Sequence, residues 1–177
     1  GWNGGHDHIR ASGLLRGLSY RDLVAQRNRS VLGWAVQLSG VTHITRKLSL
    51  YYQGVYGYGY GEYLNGLNDE GFDLIPDPDT QGKLYAPETL GYVAGLQYAF
   101  SPKFFISASY SQSRVYSKQG ALSPDSYRYA QYIVGNAFYN LTSDCSIGIE
   151  YLYGRRSNLN REDGQANRIN TMIRYNF

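Results

Sequence analysis

The sequence predicts an all-β, antiparallel up-and-down sheet whose strands cross a bilayer as a transmembrane β-barrel. Three observations predict it. Several segments alternate large apolar residues with small or polar ones at period two. Most of those segments exceed the roughly 5–6 residues usual in soluble sheets and suit a tilted bilayer span of about 9–11. Short and long connections between them alternate along the chain.

Eight strands follow, over about 8–20, 30–43, 47–62, 89–100, 103–116, 127–140, 146–156 and 166–177, as one domain over 1–177. In the second, Leu32, Trp34, Val36 and Leu38 oppose Gly33, Ala35, Gln37 and Ser39. In the third, Tyr56, Tyr58 and Tyr60 stack on one face, while Gly57, Gly59 and Gly61 clear space on the other. The fourth sets Leu90, Tyr92, Ala94, Leu96, Tyr98 and Phe100 against Gly91, Gly95 and Gln97. In the seventh, Ile147, Ile149, Tyr151 and Tyr153 oppose Gly148, Glu150 and Arg156. In the last, Ile169, Ile173, Tyr175 and Phe177 oppose Arg168, Asn170 and Arg174. The sixth is ambiguous, because Asn136 falls on its apolar side. A soluble sandwich also alternates. Here, however, nearly every strand has an aromatic-rich face and no helix to cover it. Tyrosines near the strand ends suit a membrane interface, since the ring is apolar and the hydroxyl can stay wet.

The turns at 44–46, 101–102 and 141–145 are short, as periplasmic turns are. The connections 21–29, 63–88, 117–126 and 157–165 are longer, as outer loops are.

Composition narrows the function classes. The 177 residues are 42% hydrophobic, 15% aromatic and 18% charged, with 19 Tyr and 21 Gly, which fits extended structure and argues against disorder. Cys145 is the only cysteine, so there is no internal disulfide and no Cys-based zinc site. A net charge of +3 is too small to point to nucleic acid. No apolar run reaches the about 18 residues of a transmembrane helix. The chain opens on Gly1 and its only methionine is Met172, which reads as a processed or cropped chain.

If the apolar face meets lipid, the other parity lines a lumen. Its candidates are Arg10, Arg16, Gln37, Gln53, Gln97, Gln131, Glu150, Arg156, Arg168 and Arg174, joined by Ser107 and Ser109. Five arginines face one glutamate. Guanidinium forks fit carboxylate or phosphate, so this lining favours small anions; the alternative is a self-satisfied Arg–Glu ladder. The 63–88 connection holds Asp69, Glu70, Asp73, Asp77 and Asp79. The plainest expectation is a solvated outer loop. The alternatives are an inward fold that sets these acids against lumen arginines, or a calcium site, for which the EF-hand spacing is missing.

Other features carry less. His6-Asp7-His8 lies near the chain end and lacks further metal ligands. Gly57-Tyr58-Gly59 alternates within a strand rather than forming a filter loop. His43 has no convincing serine partner, and Cys145 sits at a turn. No catalysis, metal or cofactor is expected.

Longer segments carry a resemblance. Gly148-Ile-Glu-Tyr-Leu-Tyr-Gly-Arg-Arg156, an Asn/Asp/Gly-rich loop and Ala166-Asn-Arg-Ile-Asn-Thr-Met-Ile-Arg-Tyr-Asn-Phe177 resemble the ending of trimeric outer-membrane porins of the DcaP type. Arg10-Ala-Ser-Gly-Leu-Leu-Arg-Gly-Leu-Ser-Tyr-Arg21 and Ser123-Pro-Asp-Ser-Tyr-Arg-Tyr-Ala-Gln-Tyr132 resemble internal strands of that family. Tyr175 and the terminal Phe177 resemble the insertion signal read by the barrel-assembly machinery. The resemblance implies a homotrimer in the bacterial outer membrane, passing small hydrophilic solutes through a barrel of about sixteen strands. This chain resembles the C-terminal half. Either it is part of that larger barrel, or it closes alone as a small eight-stranded barrel with a structural, adhesion or interaction role and no open pore.

Overall fold

The computed structural model describes residues 7–68 and 70–177. His6 and Asp69 therefore lie outside the described residues. The chain forms β1 (His8–Asp22), β2 (Arg27–His43), β3 (Leu48–Tyr58), a 3-10 turn (Gly61–Tyr63), β4 (Ile75–Pro76) and β5 (Leu84–Tyr85). It continues through β6 (Glu88–Ser101), β7 (Phe104–Tyr116), β8 (Tyr127–Asn140), β9 (Cys145–Asn158) and β10 (Asp163–Tyr175). Eight of these make one antiparallel sheet in the order β1-β2-β3-β6-β7-β8-β9-β10. β4 and β5 form a separate small hairpin. In the sheet β1 and β10 are edge strands, and it does not close between them. Among the described residues no helix is long and apolar enough to cross a membrane.

Cross-strand partners point to the same face, so the register sorts every side chain. One row runs Leu14, Ala35, Gly57, Thr89 and Val115. A second runs Ser49, Gln97, Ser107, Asn136, Glu150 and Asn170. Both rows lie on the face over which the 59–87 connection folds, here called the inner face. The outer face carries Leu15, Leu32, Ile169 and Ile173, exposed by 76%, 65%, 69% and 80%. Burying one such side chain contributes about 1.5–3 kcal/mol. A whole sheet face of them left bare marks a surface built to be covered by something apolar.

The third strand is shorter than its alternation predicts. β3 stops at Tyr58 because Gly59 takes φ +65°, a left-handed backbone conformation that suits glycine. A Cβ there would lie 2.9 Å from Leu18 Cδ1. The turn corrects two expectations. Tyr60 leaves the Tyr56–Tyr58 stack and is buried on the inner side, donating its hydroxyl to Thr89 O at 2.8 Å and Val55 O at 3.2 Å. Gly59 and Gly61 belong to the turn and the 3-10 segment rather than to a strand face.

The connections differ too. Those at 23–26 and 159–162 are tight hairpin ends, because the strands zip further toward that rim than the sequence suggests. Only 59–87 and 117–126 are long there, and they share the compact core. Leu67, Phe72 and Ile75 from the first pack on Val115, Ala121 and Tyr127, with Phe72 and Tyr127 rings 6.0 Å apart.

Candidate functional site: the inner face and its loop

The 59–87 loop reaches across the inner face and is held there by charge. Arg16, from β1, places Nη1 2.6 Å from Asp73 Oδ2, with both side chains largely buried. Nη1 also donates to Gly59 O at 3.2 Å, and the guanidinium lies 5.1 Å from the Tyr63 ring centre. Six strands further along the sheet, Arg156 Nη1 meets Glu70 Oε1 at 2.9 Å while its guanidinium covers Tyr127 at 5.2 Å. The expectation of a solvated outer loop is corrected: Leu67, Phe72 and Ile75 anchor this segment, and burying them outweighs leaving it in water.

A third pin holds the β4–β5 hairpin. Lys118 Nζ reaches Asp77 Oδ1 and Asp79 Oδ2, both at 2.8 Å, over the Tyr85 ring. Its backbone N–H donates to Tyr85 Oη at 2.8 Å. The ammonium beside it holds the Asp77 carboxyl below the usual carboxylate range, and the two carboxylates raise Lys118 well above an ordinary lysine. On the other side of the hairpin, Leu84 N–H donates to Tyr20 Oη at 2.9 Å. These four loop carboxylates thus disperse onto three cations, Asp77 and Asp79 sharing Lys118. Among the described residues no group of three or more His, Cys, Asp or Glu could hold a metal ion.

The structure sorts the sequence-derived candidates by face. Arg10 and Arg16 on β1, Gln37 on β2, Gln53 on β3 and Gln97 on β6 lie on the inner face. Glu150 and Arg156 on β9, and Arg168 and Arg174 on β10, lie there too. Gln131 does not. It pairs with Gln112 on the outer face, where its Oε1 accepts the Tyr110 hydroxyl at 3.3 Å. Each face of β8 carries a mixture of aromatic, small and polar side chains, so alternation alone gives no sign. The residue that replaces it inside is Asn136, which accepts the Ser107 hydroxyl. Only the neighbouring polar row on β6, β7 and β9 identifies it.

The arginines divide into two groups. Arg16 and Arg156, under the loop, face carboxylates. Arg168 donates to Asn170 Oδ1 at 2.7 Å and Arg174 to Asn176 Oδ1 at 3.1 Å. Among the described residues neither these two nor Arg10 makes an ion pair with a carboxylate. Glu150 is engaged by Asn170 Nδ2 at 2.8 Å. Gln53, Gln97, Ser39, Ser107 and Ser109 line a 440 Å³ concavity on the turn side of the loop. Tyr175 points outward at the turn rim, and Phe177 lies beyond the last strand, fully exposed.

No protein-family model and no curated protein matches this chain. Among solved structures, the crystal structure of the outer membrane channel DcaP of Acinetobacter baumannii superposes on all of it with a TM-score of 0.82 at 19% identity. The chain spans 49% of that protein's length. The likeness shows the fold: a porin-like antiparallel sheet.

Proposed function

We propose that this chain forms part of the wall of an outer-membrane channel through which small hydrophilic solutes diffuse down their own gradients. One observation carries the reading: a bare apolar outer face backs an inner face that carries a row of polar side chains and over which the 59–87 loop folds. Such a wall meets lipid on one side and water on the other. The fold shared with an outer membrane channel supports it. A homotrimer, and a terminal Tyr175–Phe177 signal read by the barrel-assembly machinery, belong to the same reading.

The edges favour a barrel wider than eight strands. β1 and β10 run antiparallel, so they would be neighbours in a barrel closed on this sheet alone. Arg10 and Arg16 from one edge and Arg168 and Arg174 from the other would then line adjoining strands on the same inner face. Like charges placed opposite each other destabilise a strand pair. Other strands between the two edges, completing a barrel of about sixteen, relieve this and leave a wet lumen.

Within that lumen the unpaired Arg10, Arg168 and Arg174 set a positive field on the turn side of the loop and favour small anions such as carboxylates. Conductance in a planar bilayer, with the reversal potential read under a salt gradient, tests both levels. Stable anion-selective steps are expected, and Arg168→Glu with Arg174→Glu shifts the reversal potential toward cations. Unchanged selectivity removes the anion reading. Absence of conductance from this chain alone, fully inserted, leaves a filled eight-stranded barrel or an incomplete part of a larger one; absence from the full-length protein removes the channel.

A further inference from the structure

A second set of arginines sits on the outer face, where a lipid-facing wall has little use for charge. Arg114 is on β7, paired across the sheet with Tyr129 of β8. Its guanidinium lies 4.7 Å from the Tyr116 ring centre, and its Nε is buried with no hydrogen-bond partner. An unmade bond at a buried charged donor is costly and calls for an acceptor. Arg128 occupies the irregularity in β8 between Tyr127 and Tyr129, with its guanidinium 5.8 Å from the Tyr129 ring centre. Arg155, on β9 opposite Gln131, completes the group and pairs with Asp163.

Two things single this patch out. The polar side chains just below it already have partners: Tyr92 Oη donates to Gln112 Oε1 at 3.4 Å, and Tyr110 Oη to Gln131 Oε1 at 3.3 Å. Among the described residues Arg114 and Arg128 make no ion pair. The nearest outer-face acid on the other side, Glu88, takes up the Tyr58 hydroxyl instead. The height is also specific. Tyr116 ends β7 and Tyr129 lies near the start of β8, both at the loop rim, and Ile106, Ile133 and Ile149 lie below them on the same face. Tyrosines mark the interfacial level of a membrane wall, where lipid headgroups begin.

We propose that Arg114 and Arg128, each backed by a tyrosine ring, bind the phosphate groups of an anionic glycolipid in the outer leaflet, with Arg155 at the margin. The guanidinium fork matches phosphate oxygens in geometry and charge, and the acyl chains would lie along the apolar band below. The proposal rests on the membrane-wall reading above.

The test uses the full-length protein that contains this chain, reconstituted in phosphatidylcholine vesicles containing bisphosphorylated lipid A, with lipid-A-free vesicles and inorganic phosphate as further arms. Protease protection scores insertion; lipid A retained on detergent extraction, counted by native mass spectrometry, scores binding. Wild type is expected to retain lipid A. Arg114→Gln with Arg128→Gln should weaken retention by roughly tenfold or more. Lys103→Gln, at the opposite rim, should leave it unchanged. Phosphate at millimolar concentration should compete only partly, since it lacks the chains. Equal retention by wild type and the double variant in well-inserted protein overturns the proposal and leaves the membrane reading standing. Failure of the full-length protein to insert overturns both. A double variant that loses subunit mass rather than lipid reassigns the patch to contact between copies of this chain and overturns the lipid site.

Discussion

Replacing Asp73 with alanine removes two interactions from a single carboxylate. Oδ2 holds Arg16 at 2.6 Å, and Oδ1 accepts the Glu62 N–H at 3.1 Å. A hydrogen bond to a charged group contributes roughly 1.5–3 kcal/mol, and a neutral one about 0.5–1.5 kcal/mol. Arg16 keeps Gly59 O and the Tyr63 ring, so the loss falls near the lower part of the combined range, about 2–3 kcal/mol. At 1.4 kcal/mol per tenfold, the loop end opens roughly 30–140 times more often. Amide hydrogen exchange reads this directly. Tyr63 and Leu64 N–H, which donate to Tyr60 O and Gly61 O at 3.0 Å, should exchange faster by that factor. The amides of β7 and β8 should not change. Asp73→Asn, which keeps an oxygen for Glu62 but drops the charge, should fall between. Exchange at Tyr63 and Leu64 within about threefold of wild type would refute the claim that charge holds this loop on the sheet.

Other consequences can be checked separately. Tyr60→Phe leaves the packing intact but removes the donor to Thr89 O and Val55 O, and should cost about 1–2 kcal/mol in thermal unfolding. Gly57→Ala puts a Cβ 2.0 Å from Trp34 O and 2.6 Å from Ala35 Cα, so the β2–β3 backbones must separate; a loss of at least about 1–3 kcal/mol is expected. The hairpin at Lys118 has a defined pH window. Asp77 is lowered in the folded state, so its contribution is full above the ordinary carboxylate pKa and is lost as pH falls through the lowered value. Lys118 is raised, so its contribution is full below the ordinary lysine pKa and is lost only as pH rises through the raised value. Proteolytic cleavage within 77–83 should therefore stay slow through neutral pH and rise in strong acid, and Lys118→Gln should make it fast at both.

The sheet's two-sided character was legible because period two is a local property of a pleated strand. Leu32, Trp34, Val36 and Leu38 declare one face of β2 whatever lies beside them, and Ile169, Ile173 and Tyr175 do the same for β10. Where a strand mixes residue types on both faces, the signal vanishes. In β8, Gln131 and Asn136 are equally polar and opposite in parity, and the register with Ser107 and Glu150 settles which faces inward. The end of β3 was hidden for a related reason: alternating Tyr and Gly continue past Tyr58, while Gly59 turns the chain under Leu18 and Ala86, residues far away in sequence.

The loop depended most on tertiary structure. Its acids, prolines and length describe a polar connection equally well in solvent or folded inward. What turns it inward is a set of partners on distant strands, Arg16 on β1, Arg156 on β9 and the apolar pocket around Val115 and Tyr127. Local sequence therefore determined the strands and which face of most of them is apolar, because a strand's alternation needs only its own residues. Tertiary structure decided the lining of the inner face and the course of the loop across it, because a charge or a ring acquires a role only from the group placed opposite.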